Sequence, residues 1–82
     1  MNVWVKRPFQ VKNSEGVLVK YSPYDEVDLV KRKISGSEES VFVMTDLRTQ
    51  ETFNFSESTA VGLFYKAHHL EVEDDNLVLF DD

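Results

Sequence analysis

A short pattern recurs along this chain, in which β-branched or aromatic residues alternate with polar ones for a few positions before a turn. Val3, Val5, Phe9 and Val11 alternate with Lys6, Gln10 and Lys12 around Arg7 and Pro8. Successive side chains of a strand point to opposite faces, so such runs predict strands with one buried face. Pro8 has no amide to donate to a ladder, which implies an edge or a bulge there. Asn13-Ser14-Glu15-Gly16 is turn chemistry, and Val17 to Tyr21 reads as the returning strand of a first hairpin. Val41 to Thr45 and Glu51 to Phe55, joined by Asp46-Leu47-Arg48-Thr49-Gln50, predict a second hairpin.

Two segments break the alternation. Ser22-Pro23-Tyr24-Asp25 offers a capping serine, a proline at the first helical position and an acid near the capping-box position, with Gly36 placed to end the element. Acids at 25, 26 and 28 precede bases at 31, 32 and 33, and Tyr24, Val27, Val30 and Ile34 share one stripe. These features predict a first helix. The alternative is a strand over residues 27–34, in which Leu29, off the helical stripe, would find a use. Ser35 to Ser40 reads as a polar loop. Ser56 or Ser58 then caps a second helix over about residues 58–69, whose apolar arc (Leu70, Leu63, Ala67, Ala60, Phe64, His68, Val61, Tyr65) spans more than half the wheel and so needs cover on two sides. Glu71 to Asn76 and Leu77 to Phe80 read as a turn and a last short strand.

The expected fold class is therefore α+β: a small mixed or antiparallel sheet built from two hairpins with two helices, in the order ββαββα with a final β, as one compact domain over residues 1–82. The two ββα units stand 38 residues apart, from Val3 to Val41, which is a weak repeat signal. Val, Leu, Ile and Phe supply 26 of the 82 residues, enough for a folded core. A domain of this size buries only about 60–65% of its unfolded surface, so a partner subunit would add to its stability.

Chemistry is mostly excluded. There is no cysteine, hence no disulfide, thiolate nucleophile or cysteine zinc site. Gly16, Gly36 and Gly62 are too far apart for a phosphate loop, and no serine has the flanking glycines of a nucleophile elbow. His68-His69, followed by Glu71, Glu73, Asp74 and Asp75, is the one cluster with metal-ligand residue types. Adjacent helical residues diverge by 100°, however, and the acids lack the glycine and distal glutamate of a calcium loop. No catalytic residue, metal site, cofactor or small-molecule ligand is expected. The amino-terminal residues lack a secretory pattern and no apolar run is long enough for a membrane span, so the expected location is cytoplasmic, without membrane association. The sequon Asn54-Phe55-Ser56 then has no secretory setting in which to act.

Charge is unevenly distributed within a net −6. Residues 1–36 carry seven basic against four acidic side chains, and residues 37–82 carry two against eleven. Lys6, Arg7, Lys31, Arg32 and Lys33, with Lys12 and Lys20, are the candidates for a nucleic-acid surface, although the overall charge opposes long-range approach to phosphates. The acidic half could conversely imitate nucleic acid in a basic cleft. The leading expectation comes from strand parity: if the valines at 3, 5, 17, 19, 41 and 43 face the helices, then Trp4, Leu18, Phe42 and Met44 share the other face. An apolar face of that kind marks a protein interface. The expected function is thus a small acidic, non-enzymatic protein-interaction module, a homodimer or an inhibitor or adaptor of a larger protein, with Trp4, Leu18, Phe42 and Met44 as its contact residues.

Overall fold

The computed structural model describes residues 1–72. Its elements are β1 (Asn2–Trp4), β2 (Phe9–Lys12), β3 (Leu18–Tyr21), β4 (Glu26–Lys33), β5 (Ser40–Thr45), β6 (Thr52–Ser56), α1 (Glu57–Leu63) and a 3-10 turn at Ala67–His69. β1, β4, β5 and β6 form an antiparallel four-stranded sheet in that order, and β2 and β3 form a separate antiparallel ribbon. The fold is a small α+β arrangement, with one helix and a 3-10 turn among the described residues in place of the two expected helices. The expected strand at Leu77–Phe80 lies outside the described residues.

Both predicted hairpins form. In the ribbon, Asn13 accepts from the Glu15 and Val17 amides through Oδ1 at 2.9 and 3.0 Å, and Gly16 supplies the positive φ of +80° that closes the turn. The strand predicted to run from Val3 to Val11 is interrupted at Arg7-Pro8, so β1 pairs with β4 while β2 pairs with β3.

The first predicted helix is replaced by β4, the alternative reading of the same residues. Ser22-Pro23-Tyr24-Asp25 makes a tight turn: the Asp25 amide donates to Ser22 O at 3.0 Å, and Tyr24 adopts a left-handed φ of +73°. Proline at the second position and positive φ at the third are the geometry of a type II turn. Asp25 Oδ2 accepts from the Ser22 amide at 2.8 Å, so the acid that resembled a capping-box partner braces a turn instead. Beyond it the burial period is two: Val27 and Leu29 are buried, and each lies opposite a core residue, Val3 and Met44.

The second helix ends at Leu63, well short of the expected residue 69. Ser56 caps α1, its Oγ accepting from the Thr59 amide at 3.4 Å. At Phe64 the chain becomes extended and bridges Val5, with the Tyr65 amide donating to Trp4 O at 2.9 Å and the Lys6 amide donating to Leu63 O at 2.6 Å. A longer helix would leave the outer edge of β1 unpaired at these positions. Breaking it satisfies those backbone groups and buries the Phe64 ring completely. His68, expected on the apolar arc, is exposed as a result.

The buried core comprises Val3, Val5, Tyr21, Val27, Leu29, Phe42, Met44, Ala60, Phe64 and Ala67, with the ribbon residues Phe9, Val11 and Val19 packed against it. Phe9 ties the layers together, its ring centroid lying 5.1 Å from that of Tyr21, 5.8 Å from Phe55 and 5.6 Å from Phe64. This arrangement corrects the expected face of β5. Phe42 and Met44 are fully buried, opposite Phe55 and Phe53, while Val41 and Val43 turn to the outer face and are half-buried. A phenylalanine and a methionine remove more apolar area from water than two valines, so the larger pair takes the inside.

Candidate interaction site

Of the four residues expected on one contact face, only Trp4 and Leu18 are exposed, at 42% and 54%, and they lie in different sheets. The expected shared face with Phe42 and Met44 is absent because those two belong to the core. Around Trp4, however, the fold assembles aromatic residues that parity alone did not bring together.

Val3 and Val5 point inward, which sends Trp4 outward. The backbone of these same residues then fixes two tyrosines: Tyr24 donates its amide to Val5 O at 2.7 Å, and Tyr65 donates its amide to Trp4 O at 2.9 Å. The tyrosine rings stack with centroids 6.1 Å apart and planes inclined by 20°. Tyr24 is 71% exposed and Tyr65 37%. Lys6 places Nζ 5.5 Å from the Tyr65 ring centroid while donating to Val61 O at 3.2 Å, and Lys66 Nζ stands 5.7 Å from the Trp4 centroid. The result is an exposed stacked tyrosine pair with Lys6 over one ring, joined through the Tyr65 amide to Trp4, whose own ring lies under Lys66.

Two of these residues, Tyr24 and Lys66, hold left-handed backbone with φ of +73° and +70°. Non-glycine residues adopt that region at a cost, which concentrates in loops whose shape is over-determined by their surroundings. Tyr24, Tyr65 and Lys66 were not expected as contact residues from the sequence. The Pro23-Tyr24 pair was a signal for Tyr24, since a turn places its third residue at the surface. Tyr65 had no signal of its own, because continued helix would have put it on the apolar arc.

Two of the expected basic residues are engaged within the fold. Lys6 caps a carbonyl near the carboxyl end of α1, whereas Lys31 lies 3.7 Å from Glu57 at its amino end and sits 5.7 Å from the Phe42 ring centroid. Along β4, Lys31 and Lys33 alternate with Arg32, which takes the opposite face. Lys6 and Lys31 thus contact α1 four residues apart, at Val61 and Glu57.

A second polar group lies inside the molecule. Asp46, 2% exposed, accepts from the Tyr21 hydroxyl at 2.7 Å and the Arg48 amide at 2.8 Å, and it pairs with Arg48 Nη2 at 3.3 Å. Burial alone would raise its pKa. Hydrogen bonds from Arg48, Tyr21 and the Arg48 and Thr49 amides outweigh burial and hold it at about 2. Burial and the adjoining carboxylate push the Tyr21 phenol far above its ordinary value. With its oxygens so engaged, Asp46 anchors the β5–β6 turn to the ribbon. The adjoining cavity, about 140 Å³, is walled by Asp25, Glu26 and Arg48 as well as Tyr21 and Asp46.

His68 and His69 have ring centroids 4.0 Å apart, and among the described residues no three His, Asp or Glu side chains gather as a metal site. Among the described residues, too, no helix is long and apolar enough to cross a membrane. The chain matches no protein-family model, no curated protein and no solved structure.

Proposed function

We propose that this chain is a non-enzymatic protein-interaction module whose contact surface is the aromatic cluster of Trp4, Tyr24 and Tyr65. One observation carries the reading: three large aromatic side chains are exposed on backbone joined at Trp4 and Val5, two of them, Tyr24 and Tyr65, as a stacked pair. Tryptophan and tyrosine are enriched among the residues that dominate binding energy, and anchors held on rigid backbone lose little entropy on association. Lys6 and Lys66 add a positive rim, which suits a partner that brings carboxylates beside an apolar pocket. Compared with the face expected from parity, Trp4 is retained, Leu18 is exposed elsewhere, and Phe42 and Met44 serve the core.

The test is a pair of substitutions read for binding and folding together. Trp4→Ala and Tyr24→Ala should each lower partner affinity by about 2 kcal/mol or more while leaving the cooperative unfolding transition in place. Retained capture of the same partner by the double variant would overturn the reading. Aromatic rings beside lysines also suit stacked bases, so salt-sensitive binding of a single-stranded oligonucleotide, lost in Trp4→Ala, would assign the same surface to nucleic acid instead.

A further inference from the structure

A second surface lies at the other edge of the four-stranded sheet, away from the aromatic cluster. We propose that the outer edge of β6 pairs with the same edge of a second copy, Thr52–Ser56 of the two chains running antiparallel about a two-fold axis at Asn54.

The phase of the backbone comes first. The Asp46 amide donates to Glu51 O at 2.9 Å, which makes those residues a hydrogen-bonded pair. Hydrogen-bonded and non-bonded pairs alternate along an antiparallel ladder. Met44 with Phe53 and Phe42 with Phe55 are then the bonded pairs, so Phe53 and Phe55 direct their backbone groups to β5. Thr52, Asn54 and Ser56 direct theirs the opposite way. All three are exposed, and among the described residues no backbone bond from another strand or loop reaches them; the Ser56 carbonyl, as the cap of α1, accepts the first helical amide and has its second lone pair for a partner. The ribbon touches the rings of Phe53 and Phe55 but remains a separate sheet.

The sequence of the edge fits its own copy. Thr52-Phe53-Asn54-Phe55-Ser56 alternates polar and aromatic residues and reads alike in both directions. Antiparallel pairing about Asn54 sets Asn54 against Asn54, Phe53 against Phe55 and Thr52 against Ser56. Every position meets its own kind, as an isologous two-fold contact requires. The strand also lacks the charges and proline by which edges are usually protected. Glu51 and Glu57 would meet at the two ends, which confines pairing to five residues and opposes a longer register. So short an edge makes a weak dimer, in which β1 and its aromatic cluster stay accessible on both copies.

Sedimentation equilibrium up to about 1 mM should show a reversible monomer–dimer equilibrium, with association weakened about tenfold or more by Asn54→Lys, which sets two like charges on the axis. The control Gln10→Lys, on the ribbon, should leave it unchanged. Hydrogen exchange on the wild-type chain supplies a readout that does not depend on the variant folding. The Thr52, Asn54 and Ser56 amides should slow as concentration rises, while Phe53 and Phe55 stay protected throughout. A monomer at every concentration, protection of the three outer amides that ignores concentration, or a dimer indifferent to Asn54→Lys in a folded variant would each overturn the proposal.

Discussion

At the scale of single residues, Asp46 shows how a turn aspartate becomes a structural requirement. Its carboxylate gathers a phenol, a guanidinium and two amides, and its pKa falls from 3.8 to about 2. A carboxyl whose folded pKa lies below its unfolded value stabilises the protein above the unfolded pKa and loses that contribution as pH falls through the folded one. About 2 kcal/mol should therefore disappear between roughly pH 4 and pH 2. Urea titrations across that range should show the stability gap between wild type and Asp46→Asn closing as pH drops. Tyr21→Phe removes one donor to this carboxylate and should cost about 1–3 kcal/mol at neutral pH.

At the scale of elements, the turn at Ser22–Asp25 decides whether the next segment becomes helix or strand. Its residues satisfy helix-start chemistry and type II turn chemistry alike, and the turn prevails because it feeds Val27 and Leu29 into a sheet that already holds Val3 and Met44. Tyr24 carries the backbone cost of that turn. Tyr24→Gly should leave thermal stability unchanged or raise it by up to about 1 kcal/mol, while reducing binding at the aromatic cluster. A large loss of stability would mean that the stacking with Tyr65 holds the turn in place. Ser22→Ala, which would weaken a helix by about 0.5–2 kcal/mol if Ser22 were its cap, should instead be close to neutral in the same melts.

For the whole molecule, the decisive contact is between the chain's beginning and the segment after α1. Phe64 bridges Val5, fills the space between Phe9 and Phe55, and ends the helix to do so. Phe64→Ala should cost about 3–5 kcal/mol by chemical denaturation, a large share of the stability of a domain this small. Leu18→Ala, at an exposed position of the ribbon, should change stability by no more than about 0.5 kcal/mol. Charge also distributes differently at this scale. Residues 1–72 carry nine basic against ten acidic side chains, so five of the six net negative charges belong to residues 73–82. Net acidity is thus mostly a property of the last ten residues, and the chain up to residue 72 is close to neutral.

Alternation and turn chemistry are local, and the sequence alone is enough for the two hairpins, the Asn13–Gly16 turn and the serine cap before α1; at Pro8 it implied an edge or a bulge, where the expected strand in fact splits into β1 and β2 of separate sheets. It also determined that Trp4 points away from Val3 and Val5, because parity within one strand is fixed by the pleat. What tertiary structure decided is every choice between two locally satisfied alternatives. Residues 26–33 suit a helix or a strand until β1 and β5 supply edges for them to pair with. Val41 and Val43 or Phe42 and Met44 could each face inward, until Phe53 and Phe55 across the hairpin favour the larger pair. The aromatic surface was beyond local reading for the same reason: Tyr24 and Tyr65 are brought to this segment by hydrogen bonds to Val5 and Trp4, from positions 20 and 61 residues further along the chain than Trp4. Periodicity reports which side of its own element a residue takes, and only packing reports which elements meet.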